Sequence, residues 1–365
     1  MPAAERRPAA WPLGVAAVVL AALALRLWGF RQGLPLVYNA DENAHFVAGA
    51  IGMFGHTYDP NYFINPPAYT YLLHVVFAVW FGGREGVSNS YAADPTDVFF
   101  VARIVAAACG TIAVWLLYLA GTKLFADRRV GFLSAGLLGV GFLPVFYSHL
   151  ALNDVPTLAP ICLALYGTAG IVRQGRIRDF LWAGVGLGLA CATKYTGGIV
   201  LLPLIAAAGV RFAMPGGRSG ALRGIALAGA MALVAFLVAN PYALLNWDAF
   251  TNGLTHQSDA SGDAAGKLGL TQSNGYLYYL WSFGWGLGWL PLLFAVGGAV
   301  RLFIDERRLL WMLVPAILLF VLFMGSQERY FGRWLMPVFP FVCILAAYAA
   351  RMQTSGKTGI SQRPK

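Results

Sequence analysis

Between Trp11 and Ala350 the chain returns repeatedly to apolar runs as long as a bilayer is thick. A helix rises 1.5 Å per residue and the hydrocarbon core is about 30 Å, so about 20 apolar residues make one crossing. Candidate crossings fall near 11–30, 99–121, 130–148, 155–171, 180–193, 196–211, 224–240, 276–299, 309–325 and 333–350. Only 12% of the 365 residues are charged, about half the share in soluble domains. The expected fold is therefore an all-α polytopic membrane bundle of about ten transmembrane helices, a single domain over 1–365. The N-terminal apolar stretch is too long for a signal peptide and no small-residue cleavage site follows, so a retained first span is expected. Cys109, Cys162, Cys191 and Cys343 lie inside apolar runs without metal-ligand spacing and read as small hydrophobes, with no disulfide.

The net charge of +10 would suit nucleic acid, but its placement points to membrane topology and to no nucleic-acid partner. Segment 67–82 is the ambiguous one, because about 16 residues reach roughly 24 Å. With 67–82 left out as a crossing and the N-terminus inside, 18 Lys/Arg fall on the inner side and 7 on the outer. Counting it as a crossing puts every basic loop outside, against the positive-inside rule. So 67–82 is expected to lie in or re-enter the outer interface, with both chain ends cytoplasmic. The outer side then holds a first loop, 31–98, with juxtamembrane helices, and a second loop, 241–275, whose polar stretch from Thr255 reads as mobile. Residues 352–365 read as a disordered tail.

The outer side also collects the chemistry. Asp41 and Glu42 are adjacent in "VYNADENAHF", where Asp41 or Asn39 suits the start of a short helix and a carboxylate suits a general base. Asp154 sits between two spans in "YSHLALNDVPTLAP", where a helix cap explains it and an ionisable residue at a span end suggests function. Lys194 interrupts an apolar run from 180 to 212. Mid-bilayer placement costs a Lys about 2.5–3.5 kcal/mol, so it is expected to break the helix and reach the interface, either snorkelling or meeting a phosphate. Arg329 and Arg333 stand among aromatics in "SQERYFGRWLMPVFP", and Arg103 opens "RIVAAACG". An interfacial belt explains the aromatics, while the arginines suit bidentate phosphate binding.

In order and spacing these pieces resemble the GT-C superfold glycosyltransferases, of the protein O-mannosyltransferase-like and aminoarabinose lipid A transferase-like families. "DENAHFVAGAIGMFG" is similar to the acidic-pair motif and its juxtamembrane helix, and "INPPAYTYLL" to the Pro-Pro-aromatic segment. The stretch from "ARIVAAACG" to "NDVPTLAP" is similar to the Arg-led span, basic loop and second acidic motif. "GLGLACATKYTGGIVLLP" resembles the Thr-Lys-Gly break and "ERYFGRWLMPVFPFVCILAA" the later hairpin. The match covers roughly 10–215 well. Asn65 stands where the family usually carries Lys, His45 where an aromatic is common, and no sizeable soluble C-terminal domain is seen.

The resemblance implies an inverting membrane glycosyltransferase of a bacterial or archaeal plasma membrane. It would carry a hexosyl or pentosyl group from a polyprenyl monophosphate donor to a lipid, glycan or protein acceptor on the outer face. Asp41 is then the general base, Glu42 and Asp154 position the acceptor or share a cation, and Lys194, Arg329, Arg103 and Arg333 hold the carrier phosphate. His45, His56, His74, His149 and His256 all fall outside in the counted topology. They leave open a divalent cation on Asp41 or Asp154 with His45 or His149. The competing readings are a transporter or flippase of a lipid-linked or polar solute, and an assembly protein without activity. Against transport, the ionisable residues gather at one face and not at mid-membrane.

Overall fold

The computed structural model describes residues 10–55, 57–262 and 274–355, and these build a helical bundle. Its axis is the 31-residue helix Pro95–Phe125, about 46 Å long and so longer than the membrane core is thick. Local chemistry explains both ends. Asp94 accepts a hydrogen bond from the Thr96 N–H at 2.9 Å, with Pro95 in the first turn. At the other end Ala126 turns into the left-handed region (φ 51°), and Asp127 caps the next helix, Arg128–Val140, through the Arg129 N–H.

Helices Leu158–Arg173, Arg128–Val140 and Ala10–Leu27 pack on this axis. Leu158–Arg173 pairs with Ile177–Thr193, which pairs in turn with Arg218–Ala239. Lipid does not drive helices together as water does, so close van der Waals approach has to. The first pairing shows how small residues allow it. A Cβ on Gly186 would stand 2.4 Å from the Ala164 nitrogen, and one on Gly167 2.3 Å from that of Ala183. On the opposite flank Phe339–Ser355 packs on Trp289–Asp305 and on Arg128–Val140. Leu222, Leu227, Leu233 and Val238 on Arg218–Ala239 are exposed, an outward apolar face that suits lipid.

By length and composition, five described helices are long and apolar enough to cross a membrane, or seven if each of two bent pairs is one span. The expected ten are therefore not all present as straight, full-length helices. The expected span 130–148 breaks into Arg128–Val140 and Phe142–His149, bent by 58° at Gly141 with Pro144 just beyond. The expected span 276–299 breaks into Gly275–Gly286 and Trp289–Asp305, bent by 110° where Gly288 takes φ 108°. The expected span 333–350 begins as a 3-10 turn, Gly332–Val338, around Pro337, and turns α-helical only from Phe339. Segment 67–82 forms a 14-residue helix, Ala68–Phe81. Part of the second outer loop is helix as well, Trp247–Gly262, including the start of the polar stretch that was expected to be mobile, and Phe250 and Gly253 hold it against Phe63. Residues 263–273, His56 and the tail beyond 355 lie outside the described residues.

Two features of this packing set the site. A second apolar cluster, with Phe46, Val47, Tyr69, Leu73, Phe77, Ala102 and Leu152, fastens segment 42–81 to the first turns of Pro95–Phe125. Inside the bundle Arg26 is fully buried. Its guanidinium donates to the carbonyls of Ala22 (3.0 Å), Gly139 (2.9 Å) and Leu138 (3.3 Å). The last two are C-terminal carbonyls left over by the break at Gly141, where a cation meets the negative end of the helix.

Candidate active site

Adjacent carboxylates coexist here because they point apart. Asn39 opens the segment: its side-chain oxygen accepts from the N–H of Asp41 (3.0 Å) and of Glu42 (3.3 Å). That leaves the Asp41 carboxylate without a capping duty. One turn of π-helix follows, Glu42–Val47, the wider coil that often marks functional sites.

Glu42 turns inward and is fully buried. Arg103 grips both its oxygens, Nε to Oε1 at 2.7 Å and Nη2 to Oε2 at 2.8 Å. The Ala151 N–H adds a third bond at 2.8 Å. Arg103 in turn spans the carbonyls of Phe30 (2.9 Å) and Gln32 (3.0 Å). The pair thereby ties together the 30–42 segment, the axis helix and the loop that leads to Asp154. Glu42 and Arg103 were expected to face acceptor and phosphate; the structure turns them to each other.

Asp41 turns the other way, and its Oδ2 accepts from Arg333 Nη2 at 2.6 Å. Arg333 Nε lies 3.7 Å from Asp154 Oδ2, and Lys194 Nζ is bonded to Asp154 Oδ1. The helix Ile177–Thr193 ends one residue before Lys194, which adopts extended backbone before the 3-10 turn Tyr195–Val200. This is the break that the apolar run predicts at Lys194. Asn153 secures it by donating to the Thr193 carbonyl at 2.8 Å. Burial pushes the Lys194 ammonium below its usual range, and the Asp154 charge pulls it back.

Asp41, Arg333, Asp154 and Lys194 thus form one chain of alternating charge, drawn from four separate parts of the sequence. Side-chain exposure is 35% at Asp41, 13% at Arg333, 3% at Asp154 and 12% at Lys194. Asp41 is the member at the mouth. Arg333 lies 4.9 Å from the Phe331 ring centroid and Arg329 5.6 Å from the same ring, so the two arginines share an aromatic stand.

The imidazoles go elsewhere. His45 stacks on Tyr62 at 4.5 Å, and Asn65 donates to the Tyr62 hydroxyl at 3.0 Å. Burial pushes the Tyr62 hydroxyl up; the Asn65 bond lowers it in part, and the Asp41 charge adds a smaller rise. His149 contacts the Leu25 carbonyl (3.1 Å) and His74 that of Ala50 (3.0 Å). Among the described residues no three of His, Cys, Asp and Glu converge as a metal site. The carboxylates that were candidates for a divalent cation, Asp41 and Asp154, are met by Arg333 and Lys194, and His45 and His149 are not joined to them. As arranged, these donors do not fit the divalent cation that the sequence left open.

Sequence reasoning placed Arg333 on a phosphate and did not pair it with Asp41, and it missed Tyr62. Tyr62 sits three residues before Asn65 in the first loop, a spacing without local periodicity to mark it. A surface hollow of about 530 Å³ lies far from this site, lined by Phe212–Ser219 at the opposite end of the helix Leu201–Phe212, and carries no acid–base pair.

The family described as dolichyl-phosphate-mannose-protein mannosyltransferase matches residues 96–242. The lipid A galacturonosyltransferase RgtD of Rhizobium johnstonii is 26% identical over 297 residues, 74% of this chain and 58% of RgtD. Among solved structures, ArnT of Cupriavidus metallidurans bound to undecaprenyl phosphate superposes with a TM-score of 0.67 at 18% identity, over 96% of this chain and 62% of ArnT. The Archaeoglobus fulgidus oligosaccharyltransferase tethered to an acceptor peptide superposes with a TM-score of 0.65 at 14% identity, over 95% of this chain and 50% of that one. The chain thus spans half to three fifths of the length of the relatives it matches. The apolar helical bundle therefore has the fold of ArnT and of the archaeal oligosaccharyltransferase, and its stretch 96–242, which includes nearly all of the axis helix, is similar to the dolichyl-phosphate-mannose-protein mannosyltransferase family.

Proposed function

We propose that this chain transfers a sugar from a polyprenyl monophosphate carrier to an acceptor on the outer face of a bacterial or archaeal plasma membrane, with inversion. The observation that carries the reading is Asp41, a carboxylate at the mouth of a cluster whose other members are a second carboxylate and two cations. The acceptor's O–H or N–H approaches Asp41, which takes the proton as the acceptor atom bonds to the anomeric carbon. The bond from that carbon to the phosphate oxygen breaks, and its electron pair leaves with the phosphate. One displacement inverts the anomeric centre. Charge builds on the phosphate, where Arg333 and Lys194, with Arg329 at the mouth, stabilise it. Asp154 orients these cations, and the Glu42–Arg103 pair positions the turn that carries Asp41. Sequence similarity to a lipid A galacturonosyltransferase and the fold of ArnT, a structure bound to undecaprenyl phosphate, support this class of donor.

In the same reading the chain crosses the membrane ten times with both ends inside, counting the short and bent helices. The first outer loop, 31–98, carries Asp41 and packs through Phe63 on Ala243 and Phe250 of the second, 241–275. Helix Ala68–Phe81 lies along the outer interface, because 14 residues reach only about 21 Å. Single cysteines at Ser90 and Ala126 should label from opposite sides, and labelling from one side would overturn the topology.

The test of function is transfer in vitro from sugar-phosphate-linked polyprenols by the purified protein. Asp41→Asn should lower turnover by about 10²–10⁴-fold, the usual scale for a general base. Turnover within tenfold of wild type would remove Asp41 from that role.

A further inference from the structure

The four-membered cluster has two carboxylates and two cations, so it carries no net charge when all are ionised. A neutral cluster has no surplus cation to offer a phosphate, and an incoming phosphate has to compete with a carboxylate already in place. The cluster shows which contact yields. Lys194 is bonded to buried Asp154 at the deep end. Arg333 is shared: hydrogen-bonded to Asp41 at 2.6 Å, and held by charge alone to Asp154 at 3.7 Å, beyond hydrogen-bond range. Asp41 is the most exposed member, so on losing Arg333 it is met by water or by an acceptor, whereas Asp154 would be left buried with half its neutralisation gone.

We infer that Arg333 is held in turn by the base and by the leaving group: it pairs with Asp41 in the resting chain, and the carrier phosphate draws it away, freeing Asp41 only when a donor is present. This rests on the reading of Asp41 as base and of the carrier as a phosphate. The guanidinium suits the exchange because its fork fits carboxylate and phosphate alike. Asp154 keeps the arginine tethered while it swings. An oxyanion relieved of its cation attracts a proton more strongly, so the exchange couples donor binding to proton abstraction from the acceptor. The proton then passes from the acceptor to Asp41 and the bond pair from the anomeric carbon to the phosphate, which leaves facing Arg333 with one more negative charge than it brought.

The exchange has a signature that a plain phosphate site lacks: removing the base's charge should tighten carrier binding. The measurement is the affinity of purified protein in nanodiscs for undecaprenyl phosphate, with thermal melting of each variant to confirm folding. Asp41→Asn should bind at least about fivefold tighter than wild type, the low end of ordinary site-to-site coupling. Arg333→Gln should bind about tenfold weaker, and the double variant no tighter than Arg333→Gln alone, because the gain requires the freed arginine. Equal or weaker binding by folded Asp41→Asn, or a gain that persists without Arg333, would overturn the exchange while leaving the donor reading in place. Absence of binding by wild type and by every variant would remove the donor reading and the exchange together.

Discussion

Asp41 and Glu42 are neighbours in the chain, each paired to an arginine far away in sequence, and they are held in opposite ways. Glu42 is closed in: two bonds from Arg103, a third from a backbone amide, no exposure. Asp41 is held at one oxygen by one arginine and stands a third exposed. A buried bidentate pair is strongly committed, since removing one partner strands the other charge. A single contact at a wet mouth exchanges readily, because solvent replaces what is lost. The difference separates a fixed carboxylate from one whose partner can exchange, so a sequence motif of two acids need not mean two residues of one role.

The sharpest way to break this contrast is at Asp41. Asp41→Asn should abolish transfer on the scale given above while the melting temperature of the protein stays within a few degrees; a large loss of stability would make Asp41 a fixture too. Glu42→Gln is the mirror experiment. It should destabilise the fold by about 3–5 kcal/mol, read as poor recovery from membranes and a lowered melting temperature. A folded Glu42→Gln protein with normal stability and no activity would make Glu42 a direct participant. A smaller effect is expected at the deep end of the cluster. Lys194→Gln leaves Asp154 with Arg333 still beside it, so turnover should fall by about 10²–10³-fold, the scale of one lost charge-stabilising contact. Turnover equal to wild type would detach Lys194 from the reaction. The smallest effect concerns metal. With Asp41 and Asp154 already met by protein cations and no described triad of ligands, chelator treatment should change turnover by less than about twofold. A loss restored by adding back Mn²⁺ or Zn²⁺ would show that donors rearrange around a cation.

Much of this was legible in one dimension, for reasons that differ by residue. Asp41, Asp154, Lys194 and Arg333 were gathered by counting basic residues between apolar runs, because the membrane converts sequence parity into sidedness. Lys194 also announced the helix break, since a buried ammonium at mid-bilayer is costly. Pairing was not legible. Glu42 meets Arg103 across 61 residues and Arg333 meets Asp41 across 292, and no local period links such partners. The two bent spans were missed for another reason. Hydropathy averages over Gly141 and Gly288, whose effect is on backbone angle and not on polarity. Helix Trp247–Gly262, polar and rich in small residues, was missed because it is fastened by Phe63 from the first loop.

The Arg26 clamp has a consequence for how the chain is made. Its acceptor at Gly139 lies 113 residues downstream. At about 5–20 residues per second the ribosome takes roughly 6–23 s to deliver it. During that interval the helix Ala10–Leu27 holds, in its last turn, an arginine whose downstream acceptors do not yet exist. Helix Ala10–Leu27 thus gains these acceptors for its arginine only when Arg128–Val140 arrives.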